Sequence, residues 1–476
     1  MIVFAGHRWG AFFSFFLMLV SFDGFTKPTP LKLEEVLQSV NRCYPKIKIA
    51  RLEINKSQGE YITALGKFDP SVSLDTASQP VGGYINNYGD TELNIPTFYN
   101  GVKLFGGYRN GQGDWPVYYQ NYLTNSGGEY RAGLSLPLLR DRLIDKERAG
   151  LLTKSETICM KQQDAAVTKI NVYQEAIKAY WQWVQAGLQV ETFRHLKKLA
   201  ELRQQAIIKQ ANQGDLPMLA ITENLQQIVQ REQLLNQGLM IFQQAKINLS
   251  LYYRDKHGNP RAPREKELPP DVLEKSSYPA KSLLKLRQHP ALKKLQNYSN
   301  IIKVKQILAK NELLPNLDAT AYSFKQNGTG GYPLLIPQAA MIGFKFKFPI
   351  FQREAKGKLV SAQNELQQIR TERRFLFDQL KNQLLNLFIG IKIYHHQVSL
   401  LNTELDLALK VQHGETQKFQ AGDSTLFLVN QREQATTQVQ LNSINAKVKL
   451  AEMIDLTHFF SSTDMENDKG LSKGFF

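Results

Sequence analysis

The chain has 476 residues, of which 42% are hydrophobic and 21% charged, with a formal net charge of +16 and a mean hydropathy of −0.34. That composition is globular and excludes both wholesale disorder and a polytopic helical membrane protein. The 59 Lys and Arg residues are scattered among 43 Asp and Glu, with no basic run of five and no zinc-finger spacing, so nucleic acid is not an expected partner. Cys43 and Cys159 are too few for a disulfide framework or a metal site.

In chain order, His7 and Arg8 precede an apolar run from Ala11 to Phe22, and Asp23, Gly24 and Lys27 restore polarity. Twelve residues reach only ~18 Å as a helix, too short for a bilayer but right for a signal-peptide core. Residues 1–26 are therefore expected to be a signal peptide, cut between Ser21 and Pro28. No cysteine follows that would carry a lipid.

Two copies of one plan follow. Pro45 to Pro70 and Pro290 to Pro315 each span 25 residues, bracketing a helix that proline starts at one end and stops at the other. Past each closing proline the pattern alternates with period two, at Ser71 to Thr76 and Asn316 to Thr320. A Gly-rich loop leads to a second alternating run, Arg131 to Pro137 and Gly343 to Pro349. These runs predict one hairpin per half (71–137 and 316–349), four strands in all. The first loop is longer, 67 residues from Pro70 to Pro137 against 34 from Pro315 to Pro349, with room for an added hairpin near Val102 to Tyr108. Alternation puts Phe344, Phe346 and Phe348 on one face and Lys345 and Lys347 on the other; it likewise sets Arg131 opposite Ala132 and Leu134.

Each second strand enters a proline-free stretch, 143–213 and 353–421, that would be ~106 Å and ~104 Å long as straight helices. Both end at a Gly-Asp pair, Gly214-Asp215 and Gly422-Asp423, and reverse into shorter amphipathic helices ending near Tyr253 and Phe460. The domain plan is a first repeat (27–252), a Pro-rich linker (253–283), a second repeat (284–460) and a disordered tail (461–476).

Four amphipathic strands cannot close a barrel, and lipid tolerates no open sheet edge. Three copies would supply twelve strands around one lumen, with the long helices projecting into water as a coiled-coil cylinder. On that reading Arg131, Lys345 and Lys347 face the lumen and make it basic, unless Asp75 and Asp318, which the same alternation can turn inward, neutralise them. No catalytic signature is present, and the adjacent His395 and His396 point about 100° apart on a helix, so neither an enzyme nor a metal or cofactor site is expected.

Three segments in this order, Leu65-Gly66-Lys67-Phe68-Asp69-Pro70, Pro349-Ile350-Phe351-Gln352-Arg353-Glu354-Ala355 and Ala421-Gly422-Asp423-Ser424-Thr425-Leu426-Phe427-Leu428-Val429, resemble the trimeric outer membrane efflux proteins of the TolC type. The resemblance runs from about Leu31 to Phe460. It implies a mainly α fold with a small membrane β-barrel: a homotrimer with a 12-strand barrel in outer-membrane lipid and a 12-helix periplasmic tunnel. It also implies a passive exit duct of a tripartite efflux or type I secretion system in a Gram-negative cell, with a periplasmic adaptor and an inner-membrane pump as partners. The adaptor-docking tips would be Gly214, Asp215, Leu216, Gly422, Asp423, Ser424 and Thr425. Well-studied members carry acidic residues at the tunnel entrance, where this chain has Leu428 and Gln431. A non-pore periplasmic helical scaffold is the alternative.

Overall fold

The computed structural model describes residues 29–272, 286–330 and 338–461. The expected signal peptide, the end of the linker and all but the first residue of the expected tail lie outside the described residues.

Seven α-helices are described: α1 (Leu33–Cys43), α2 (Pro45–Leu65), α3 (Lys146–Gln213), α4 (Leu219–Ser250), α5 (Pro290–Asn311), α6 (Arg353–Gln420) and α7 (Leu426–Ser461). Prolines open α2 and α5 as the spacing predicts. Asp145 caps α3 by accepting from the Arg148 amide at 2.7 Å. Both α3 and α6 have 68 residues, about 102 Å. The short helix α1, which the proline spacing does not reveal, is amphipathic and buries Leu33, Val36, Leu37 and Val40.

Neither long helix stands alone. Along α3 lie α2 and then α4, and along α6 lie α5 and then α7. Where α4 gives way to α2, Tyr252 stacks on Tyr44 with ring centroids 5.4 Å apart, and Ser39 Oγ donates to the Arg254 carbonyl at 2.9 Å. The main core is a belt at this level, where α1 and the linker add a layer over the middle of α3. Trp183, Ile177 and Val184 are fully buried there. A Cβ on Gly187 would run into the side chain of Leu268, so the linker is seated where α3 presents no side chain.

The strands depart from the sequence expectation. Among the described residues, one antiparallel sheet of six strands, in chain order, replaces the four predicted: β1 (Ser71–Gln79), β2 (Asn86–Pro96), β3 (Lys103–Gly113), β4 (Glu129–Pro137), β5 (Asn316–Gln326) and β6 (Gln338–Lys347). The first half thus supplies four strands and the second two, joined edge to edge by β4 and β5. The extra pair is β2 and β3, of which only the start of β3 falls in the stretch suggested by the loop length. All strands have nine to eleven residues. The turn between β2 and β3 lies on the helix side, where Phe98 stacks on Phe68 at 4.3 Å.

His289 caps α5, its Nδ1 accepting from the Ala291 amide at 3.3 Å, and burial pushes its imidazole from 6.5 down to about 4. The neutral form is the one that folds, so its contribution is complete above the unfolded value of 6.5 and is lost as pH falls towards 4. Urea midpoints measured across that range should fall with pH in the parent and fall less in His289→Asn, which keeps a capping side chain but cannot titrate.

Candidate functional site

Register fixes which side chains share a face of the sheet. Val72, Leu74, Leu93, Ile95, Leu104, Leu134, Ile342, Phe344 and Phe346 lie on one side. Many are open to the surroundings: Phe344 is 70% exposed and Ile342 73%. The opposite face is polar. Arg131, Lys345 and Lys347 do lie together there, but so do Asp75, Asp90, Glu92, Glu129 and Asp318, with Lys103 and Arg109. Five cations thus meet five anions, and the expected basic face is charge-balanced. Asp318 sits directly opposite Lys345, and the acidic residues that complete the balance come from the unexpected strand β2 and from β4.

Arg131 is the centre of this face. Its Nη2 donates to Asp90 Oδ2 at 2.8 Å and to Glu92 Oε2 at 2.5 Å. Arg109 donates to the same Asp90 oxygen from Nη2 at 3.0 Å. To reach β2 from β4 the Arg131 side chain crosses β3 at Gly107, which pairs with Arg131 on one side and Glu92 on the other. A Cβ on Gly107 would lie 3.4 Å from Arg131 Nε and 2.7 Å from the Thr91 carbonyl oxygen. Glycine in a strand here marks the path of a cross-strand ion pair.

The segment after β3 folds back over the same polar face at the end remote from the helices. Arg109 Nη1 donates to the Asn121 carbonyl at 3.3 Å and its guanidinium lies 5.7 Å from the Tyr122 ring centroid. Tyr122 packs edge-on to Tyr88 at 4.6 Å and stacks with Trp115 at 5.6 Å. A Cβ on Gly111 would collide with the Tyr122 carbonyl. The sequence shows this segment only as part of the long first loop, because nothing local signals a contact made across strands.

At the other end of the molecule both long helices close in the same way. Gly214 and Gly422 adopt left-handed φ of 91° and 85°. The Asp215 amide donates to the Gln210 carbonyl at 2.9 Å, and the Asp423 amide to the Lys418 carbonyl at 2.9 Å. This paired reversal satisfies the last helical carbonyls and needs glycine at its left-handed position. Gly214, Asp215, Gly422, Asp423 and Thr425 are exposed, whereas Ser424 is half-buried and donates to Glu415 Oε1 at 2.5 Å. Leu216 turns inward and joins Ile207, Ala220, Leu426 and Phe419, which hold the two tips side by side. Apolar side chains that the sequence reading did not assign to docking, Met218, Leu219 and Phe427, are exposed around the tips.

Leu428 is half-buried and Gln431 exposed on the first turns of α7. One turn on, the opposite face of α7 carries an acidic residue, Glu433, but it points between the helices. Its Oε2 accepts from Arg231 Nη2 at 2.8 Å and its Oε1 accepts from Arg203 Nη2. Asn430 Oδ1 accepts from both arginines, and Arg231 Nη1 donates to the Leu196 carbonyl at 2.8 Å. Arg231 and Glu433 are 1% and 3% exposed. Burial pushes the Arg203 guanidinium below its ordinary basicity, against the pull of Glu433. Three helices are thereby tied together just behind the tips. Among the described residues there is no group of metal-ligating side chains, and no helix is long and apolar enough to cross a membrane.

Removing one member of a buried ion network strands the others, which typically costs about 3–5 kcal/mol. Glu433→Gln should therefore lower the denaturant midpoint markedly in equilibrium unfolding. Lys410→Ala, which deletes an exposed pair with Asp406, should change it by less than about 1 kcal/mol.

No protein-family model matches the chain, and no curated protein matches it in sequence. Solved structures match it in fold. CusC, described as forming a transmembrane channel, is 12% identical with a TM-score of 0.66, covering 92% of this chain and 93% of its own. The outer membrane protein VceC of Vibrio cholerae is 13% identical with a TM-score of 0.65, covering 90% and 96%. The outer membrane channel CmeC of Campylobacter jejuni is 13% identical with a TM-score of 0.65, covering 93% and 89%. Over nine-tenths of its length, the chain has the fold of these three proteins.

Proposed function

We propose that the protein is a passive exit duct in the outer membrane of a Gram-negative bacterium. It works as a homotrimer that receives cargo from a periplasmic adaptor and an inner-membrane pump, in efflux or type I secretion. The observation that carries this reading is the sheet: strands of nine to eleven residues, the length that crosses a bilayer, apolar on one face and ionic on the other. A periplasmic scaffold has no use for Phe344, Phe346 and Ile342 exposed in a row, whereas a barrel wall turned towards lipid requires them. The polar face with Arg131, Lys345 and Lys347 then lines the lumen.

The helices carry the passage through the periplasm, and the tips present Gly214, Asp215, Gly422, Asp423 and Thr425 to the adaptor. The exposed Met218, Leu219 and Phe427 beside them supply the apolar contact that docking needs. At the entrance, Leu428 and Gln431 offer no carboxylate, so closure there rests on side-chain packing and on the interhelical ties made by Glu433.

Two experiments test the parts separately. Phe427→Asp with Met218→Asp should abolish export while leaving trimer yield unchanged; undiminished export would remove the tips from the docking surface. In planar bilayers, Lys345→Glu with Lys347→Glu should move the reversal potential in a salt gradient towards cation selectivity, most clearly at low ionic strength. Equal selectivity in parent and variant would take these lysines out of the conducting path.

A further inference from the structure

The six-stranded sheet has two open edges, β1 and β6, and their geometry identifies what covers them. Following the pairing from Ser71 leads through Asn94, Phe105, Gly133 and Tyr322 to Met341. That row reaches β6 six residues short of its last residue, Lys347. Five pairings carry this row from β1 to β6; with the helical ends Ser71 and Lys347 level, and a sixth pairing across the seam counted, six strands accumulate a stagger of six residues. With a rise of about 3.3 Å per residue and strands about 4.8 Å apart, one residue per strand corresponds to a tilt of about 35°, the value at which a sheet closes into a barrel.

We propose that β1 of each protomer pairs with β6 of the next, closing an eighteen-stranded barrel in the trimer, a wall half as large again as the twelve strands that a single hairpin per repeat would give. The inference rests on the duct reading above. β1 leaves the helical end and β6 returns to it, so the new pairing is antiparallel like the other five. If the helical ends are level, Ser71 lies opposite Lys347, Ser73 opposite Lys345 and Asp75 opposite Gly343. Faces then match across the seam. Val72 and Leu74 extend the apolar band of Phe346 and Phe344, and Asp75 on the polar face comes diagonally beside Lys345. Any shift by one residue would bury ions in lipid.

Eighteen strands at this tilt enclose a bore of about 34 Å between backbones, against about 23 Å for twelve at the same tilt. Four helices stand abreast at the sheet end of each protomer, α2, α3, α5 and α6 in that order of contact. Twelve helices at about 10 Å each make a ring about 38 Å across. The two rings meet at nearly equal diameter.

The test uses the full chain with Cys43 and Cys159 replaced by Ser. Ser73→Cys with Lys345→Cys should oxidise to cross-linked dimers and trimers on denaturing gels. A dye at Leu104→Cys, on the apolar face of β3, should be quenched by nitroxide-labelled lipid to the same extent as one at Phe344→Cys. A conducting trimer with no cross-link at this seam, or with Leu104 unquenched, overturns the eighteen-stranded wall and leaves the duct standing. A protein that neither conducts nor forms trimers overturns the duct, and this wall with it.

Discussion

Among the described residues, proline marks every passage between helix and strand. Pro70 and Pro315 precede β1 and β5, Pro137 closes β4, and Pro349 follows β6. A proline cannot extend a helix back through itself, nor donate to a ladder. At these four points the repeat of the chain therefore changes from 3.6 to 2, and it cannot drift. Fixing the boundary fixes which residues fall on which face of the sheet, because the first residue after proline sets the parity of the whole strand. The apolar and ionic faces, and the level at which the long helices begin, follow from those four positions.

How much of this was legible in the sequence depends on how far each signal reaches along the chain. The long helices and both reversals are written in local patterns, and their bounds agree with the structure to within three residues, whereas the outer strands of each half are located by their patterns but differ at their ends by up to six residues. Strands β2 and β3 are not, since Asn86, Tyr88, Asp90, Glu92 and Asn94 form a polar face opposite one that is only partly apolar, and four glycines dilute β3. Their stability comes from Asp90 meeting Arg109 and Arg131, partners 19 and 41 residues away. The tie among Arg203, Arg231 and Glu433 was hidden for the same reason, its members lying 202 and 230 residues apart. Reading Arg131 by itself missed its partners Asp90 and Glu92, because the answer lay in pairs.

The same comparison explains the glycines. Gly107 and Gly111 look like loop residues in a row of residues, yet each stands in a strand beneath something that must pass over it: the Arg131 side chain in one case, the Tyr122 backbone in the other. Gly214 and Gly422 serve the opposite end by backbone freedom alone, with open space where a side chain would be.

The placement of the turn between β2 and β3 has a consequence for how such a molecule changes over time. β1 runs away from the helices, β2 returns, β3 leaves again and β4 returns, so the added hairpin begins and ends at the remote side and leaves the direction of β4 as it would be without it. On the trimeric duct proposed above, the wall therefore changes in steps of six strands, two from each protomer. A duplication or loss of one such hairpin alters the bore while every helix keeps its attachment, its length and its orientation. On that proposal, the width of the wall and the length of the helices become separately inherited quantities.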